Sequence, residues 1–146
     1  MSNEINEIYN GRERPEFLSI ITASKCAKIR IEDIEIIEQD GRKIHIVTAD
    51  RDYSLYSTMN SIAIYLEGRS FYRAMKGLIV NFDHVKDING FFVNFYSGQC
   101  VTMGRNNIGK AKMAFRQYLK QYPPFTSWEP FSRVAEKEKD LNKDVN

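Results

Sequence analysis

A chain of 146 residues, 42% hydrophobic and with nine Phe and eight Tyr, can bury one core of domain size, which excludes disorder throughout. No stretch reaches the roughly 18 apolar residues of a membrane-spanning helix, and the acidic start (Glu4, Glu7) lacks the basic-then-apolar plan of a signal peptide; no membrane partner and a cytoplasmic location are expected. The net charge of +2 is too small to announce a nucleic-acid partner, yet residues 25–122 hold 15 Lys and Arg against 10 Asp and Glu, while both flanks are net acidic.

Residues 1–24 read as an N-terminal arm or linker that runs through Arg12, Arg14 and Pro15, with Phe17 to Ile21 able to add a strand. From Ile29 the pattern turns to short β segments. Lys28 to Ile31, Ile34 to Glu38 and Lys43 to Thr48 alternate and are rich in β-branched residues, and Asp40-Gly41 is a hairpin signal. A second turn at Ala49 to Asp52 leads to Tyr53 to Tyr56. Ser57 or Thr58 can cap a short helix whose apolar positions Met59, Ile62, Ala63 and Leu66 follow helical spacing, with Gly68 as its stop. Further strands are expected at about Gly77 to Val80, His84 to Ile88, Phe91 to Phe95 and Gln99 to Thr102, separated by Asn89-Gly90 and Ser97-Gly98.

A closing helix from about Ile108 to Tyr122 puts Ile108, Ala111, Phe115, Tyr118, Leu119 and Tyr122 on one side and Lys112, Arg116 and Lys120 opposite. Pro123 and Pro124 end it. The tail, 123–146, is aromatic (Phe125, Trp128, Phe131) and then charged, and its aromatics suit docking on a protein partner. The fold class is therefore mainly β: an antiparallel, multi-stranded domain over 25–122, with one short helix in the middle and one at the C-terminal end.

Catalytic constellations are weak. Cys26 and Cys100 stand in no metal-ligand spacing and read as small buried hydrophobes with reduced thiols. His45 and His84 fall in neither a zinc nor a nucleophile–base pattern. Glu32, Asp33, Glu35, Glu38 and Asp40 lie on one strand pair and its turns, where solvent-facing acids are commoner than a general acid–base pair. Gly104 to Lys110 (GRNNIGK) matches a phosphate-binding loop except that Ala111 stands where Ser or Thr would ligate Mg²⁺, and no βαβ unit surrounds it. Hence no enzyme activity, no cofactor and no metal site is expected.

The cations on the connections are what is left. Arg42 and Lys43 stand at the first hairpin, Arg73 and Lys76 before the Leu78 to Val80 strand, and Arg105 ahead of the closing helix with Lys110 and Lys112. Positive loops on a rigid β scaffold suit phosphate and base contacts, and Arg105 is the best candidate for a bidentate contact to guanine. Sequence order alone does not put these loops on one face.

These residues resemble the LytTR family, the β-rich DNA-binding output domain of bacterial transcriptional regulators. The likeness runs from IRIEDIEIIE (Ile29 to Glu38) and the turn Gly41 to Lys43, through Tyr53, Tyr56 and Thr58, to FYRAMKGLIVN (Phe71 to Asn81), Gly104-Arg105 and the basic helix. It implies duplex DNA as partner, bound by loops inserted in successive major grooves, on promoter direct repeats that two copies of the chain can share as a homodimer on DNA. By position, the loop at Arg42 and Lys43 resembles the family's first contact loop, and Lys76 and Arg105 fall at its DNA-meeting residues. Arg73, Lys110 and Lys112 are expected on phosphates. Met75, Gly77 and Gly104 depart from the frequent His, Ser and Ser, which removes polar groups from that face. The family's usual receiver domain finds no segment long enough here, so control through its phosphorylation is not expected. The alternative is a protein-interaction module on the same fold with weakened DNA binding.

Overall fold

The computed structural model describes residues 15–125; the arm at 1–14 and the tail from 126 onward, including the expected docking aromatics Trp128 and Phe131, lie outside the described residues. Two compact units divide at Phe115/Arg116.

Strands β1 (Phe17–Ile21) and β2 (Cys26–Arg30) pair antiparallel as a two-stranded sheet. A five-stranded antiparallel sheet holds β3 (Ile34–Asp40), β4 (Lys43–Thr48), β5 (Asp52–Tyr56), β6 (Phe71–Met75) and β7 (Leu78–Asn81), in the order β5-β4-β3-β7-β6. Strands β8 (Val85–Asn89), β9 (Phe92–Phe95) and β10 (Cys100–Thr102) form a three-stranded meander. Helix α1 (Met59–Ala63) follows β5, and α2 (Arg105–Leu119) follows β10. The fold is thus mainly β and antiparallel, with two helices among the described residues.

Strand β3 explains how one sheet serves two cores. Its first four residues, Ile34, Glu35, Ile36 and Ile37, are all buried, as befits a central strand covered on both faces. Pairing with β4 shifts between Ile34 and Ile36, leaving Glu35 as the extra residue of a bulge. The bulge lets Ile34 and Ile37 join the same core, with Ile44, Ile46, Met59, Ile62 and Leu66. Fully burying one such isoleucine contributes about 1.5–3 kcal/mol. On the other face Ile36 lies across from Val80, and Val80 across from Tyr72. Tyr72 stacks on Phe82 and Phe82 meets Phe115, with ring centroids 5.2 Å apart in each pair.

Cys26 and Cys100, expected to be buried, are both exposed, each at the first position of its strand. Two further differences from the sequence pattern have local causes. Phe71–Met75 forms a strand that alternation does not mark, because a register shift between Arg73 and Met75 inserts Ala74 and breaks the two-residue period. Helix α2 starts three residues earlier than its apolar spacing suggests: the Gly104 carbonyl accepts the Ile108 N–H (2.9 Å), so Arg105, Asn106 and Asn107 form the first turn. At the other end, Lys120, Gln121 and Tyr122 continue as tighter turns whose amides bond the carbonyls of Gln117, Tyr118 and Leu119.

Candidate nucleic-acid interface

Antiparallel pairing decides which loops meet. The C-terminal ends of β3, β5 and β6 and the N-terminal ends of β4 and β7 share one edge of the five-stranded sheet, because Asp40 pairs with Lys43, Lys43 with Tyr56, and Glu38 with Leu78. Three connections therefore come together: the Gly41-Arg42 turn, the Ser57-Thr58 link into α1, and the Lys76-Gly77 turn. Gly41 has φ +60° at the first position of its two-residue turn, and no non-glycine residue in the described chain has positive φ. That is the mark of a type II′ hairpin, so Asp40 belongs to the strand and the turn proper is Gly41-Arg42.

One side chain ties this end together. Gln39 Nε2 donates to the carbonyls of Gly41 (2.7 Å) and Lys43 (3.0 Å) and reaches that of Ser57 at 3.5 Å, while its Oε1 accepts the Met59 N–H (3.2 Å). Its backbone N–H bonds the Gly77 carbonyl (2.9 Å). Gln39 thus links the β3–β4 turn, the entry to α1 and the β6–β7 turn. Its place two residues after Ile37, on the face that α1 covers, was the available signal: a polar residue at a core-facing strand position.

The cations at this end have different states. Arg42 is exposed at the turn, and Ser57 N–H bonds its carbonyl. The Lys43 ammonium lies 4.9 Å from the ring centroid of Tyr56, itself well exposed. Arg73 Nε and Nη2 both donate to the Lys76 carbonyl (3.2 and 2.7 Å), and Nη1 donates to Asn60 Oδ1 (2.9 Å). Three of its five donors are therefore spent on the protein, where they brace the Lys76 turn against α1. Lys76 is exposed at the tip. The Asp40 carboxylate, at the same edge, is engaged by His45 Nε2 at 3.1 Å. Thr58 caps α1, its Oγ1 accepting the Ser61 N–H (3.1 Å).

Arg105, Lys110 and Lys112 stand on a separate element, α2. Arg105 is exposed in its first turn, next to Gly104 and beyond Met103, whose N–H bonds the Phe91 carbonyl at the tip of the β8–β9 hairpin. Lys110 is exposed, but Lys112 is half-buried. Ile108, Ala111 and Phe115 form the buried stripe, which puts Met113 opposite it and Lys112 on its flank. Of the expected basic stripe, Arg116 and Lys120 are exposed and Lys112 departs from it; on the expected apolar side, Leu119 and Tyr122 are 43% and 50% exposed. The GRNNIGK stretch is also no phosphate-wrapping loop: residues from Arg105 onward are already helical, and Gly109 and Lys110 lie in the second turn.

The two glycine departures differ sterically. A Cβ at Gly77 would sit 3.2 Å from Gln39 Cβ, whereas one at Gly104 would meet nothing within 4 Å. Gly77 thus suits the close approach of its turn to Gln39; Gly104 has room for a serine.

A family model for the LytTr DNA-binding domain matches residues 24–116, a span that includes Arg42, Lys43, Arg73, Lys76, Arg105, Lys110 and Lys112. The chain belongs to the LytTR DNA-binding domain family. It is also similar in structure to the LytTr DNA-binding domain of a protein described as a methyl-accepting/DNA response regulator from Bacillus cereus, at 15% identity and a TM-score of 0.59, over 68% of this chain and 96% of that one. Identity at that level speaks to the LytTR fold alone. No curated protein matches the chain in sequence. LytTR membership makes this a DNA-binding domain and associates it with regulators rather than enzymes. Among the described residues no helix is long and apolar enough to cross a membrane.

Proposed function

We propose that this LytTR domain is a sequence-specific, double-stranded DNA-binding transcriptional regulator of the cytoplasm. Its Gly41–Lys43 and Lys76 loops enter one major groove, and the start of α2 enters the next. In this reading Arg105 and Lys76 contact base edges, with Arg105 bidentate to guanine. Arg42, Lys43, Lys110 and Lys112 contact phosphates and hold the register, and Arg73 adds its two remaining donors to the same backbone while bracing Lys76. Two copies on promoter direct repeats make the functional homodimer on DNA.

The observation that carries the reading is the gathering of Arg42, Lys43, Arg73 and Lys76 at one sheet edge around Gln39. Four cations there outnumber Glu38 and Asp40, and the latter is engaged by His45. Such an edge attracts a polyanion, and its hydrogen-bonded loops lose little freedom on binding.

The test is a fluorescence-anisotropy titration with Arg105→Ala of a duplex that the wild-type chain selects from genomic fragments. A loss of about 1–3 kcal/mol at the cognate site, with relaxed preference at one base, is expected. Unchanged affinity and preference would overturn the assignment of Arg105.

A further inference from the structure

Between β1, the α1-covered face of β4 and β5, and α1 itself lies a cavity of about 440 Å³. Its size is that of a small-molecule site. Leucines and isoleucines of β1, β4, β5 and α1 make most of its wall, and its polar lining residues are Ser19, Ser57, Ser61, whose hydroxyl lies 2.7 Å from Thr58 Oγ1, and Tyr65. No lining residue carries a charge. An ion would therefore leave water without a counter-charge, whereas a neutral molecule would bury its carbon skeleton and could bond the serine and tyrosine residues of the wall.

The wall is continuous with the cation-bearing edge. Ser57 N–H bonds the Arg42 carbonyl (3.2 Å), and the Ser57 carbonyl is within 3.5 Å of Gln39 Nε2. Ser61 N–H bonds Thr58 Oγ1, and Asn60, one residue earlier, receives Arg73. A molecule that shifts α1 or Ser57 must therefore shift partners of Arg42 and Arg73.

We propose that this cavity binds an uncharged, largely apolar small molecule bearing a hydroxyl or carbonyl group, and that its occupancy resets the Gly41–Lys43 and Lys76 loops and so the affinity for DNA. The coupling half of the proposal rests on the DNA reading above; the binding half does not.

Two probes of equal chain length separate charge from apolar bulk: n-decanol and decanoate, titrated into the full ¹⁵N-labelled chain without DNA. Decanol is expected to give saturable shifts centred on the amides of Ser19, Ile46, Ser57 and Ile62, with decanoate at least about tenfold weaker. Ser19→Phe, an exposed position on the cavity wall, is expected to abolish those shifts and leave the rest of the spectrum in place. The wild-type comparison of the two probes stands even if this variant fails to fold. Equal binding of the two probes, no saturable shifts, or shifts centred on exposed Phe91 and Tyr96 would overturn the site. So would nuclear Overhauser contacts showing the chain's own residues 1–14 in the cavity. In a second arm, saturating decanol is expected to change affinity for a mixed-sequence duplex by about fivefold in the wild type and not in Ser19→Phe. Shifts without any change in DNA affinity would overturn the coupling, and a chain that binds no DNA would sink the DNA reading while the titration still judged the site.

Discussion

Replacing Gln39 by leucine keeps its bulk and its backbone bond to Gly77, and removes the side-chain hydrogen bonds that join the Gly41–Lys43 turn to the entry of α1. Three of these bonds are well within range, at 2.7, 3.0 and 3.2 Å. At about 1 kcal/mol each they sum to about 3 kcal/mol, and because Gln39 is only half-buried, water replaces part of that, leaving about 2 kcal/mol. For a domain of this size the loss corresponds to a fall of about 10 °C in melting temperature. Affinity for DNA, measured by anisotropy at a temperature where the variant is fully folded, is expected to fall by about tenfold, since Arg42 and Lys43 lose the carbonyl anchors of their turn. Gln39→Glu is a sharper control. It retains an acceptor for the Met59 N–H but sets a carboxylate against the carbonyls of Gly41 and Lys43, so it is expected to fare no better than leucine in either assay. Wild-type melting and wild-type DNA affinity in Gln39→Leu together would refute the idea that this residue organises the edge.

Arg73→Ala is expected to lower stability by about 1 kcal/mol in urea unfolding at unchanged m, with Arg73→Lys recovering less than half because an ammonium cannot reproduce the fork on the Lys76 carbonyl and Asn60. Ser97→Ala removes the hydroxyl that donates to buried Glu35 (2.6 Å) and is expected to cost about 1–3 kcal/mol in the same assay, while leaving the salt dependence of DNA binding unchanged. Gly104→Ser, which has open space for its side chain, is expected to tighten DNA binding by about 1 kcal/mol through an added hydroxyl donor to phosphate; anisotropy that shows equal or weaker binding would place that residue off the DNA. Lys110→Ala is expected to reduce the slope of log affinity against log salt by about 0.9, the signature of one lost phosphate contact.

Much of the fold was legible because its signals are local. Alternation in IEIIEQD and KIHIVT, with a glycine between, marks the β3–β4 hairpin, and Thr58 followed by Met59 and Ile62 marks α1 and its cap. Strand β6 was not legible, since the bulge at Ala74 hides its period, and the start of α2 was misplaced because Gly104 caps it without a side chain. At the candidate interface, the cations of the loops could be named from sequence, but their convergence could not. That depends on the register of β3 against β7, whose partners lie 40 to 44 residues apart in the chain, and on Gln39, which looks like an ordinary strand polar residue until its partners are seen. Nor does sequence tell a free arginine from a bracing one: Arg42 and Arg73 read alike, yet only Arg73 spends its donors on the protein.

Specific recognition of duplex DNA is tested by selection of genomic fragments with the purified chain, sequencing the bound DNA at low and at near-physiological salt. A short enriched motif, repeated about one helical turn apart and persisting at the higher salt, is expected. A pool without enrichment, retained only at low salt, would contradict specific recognition.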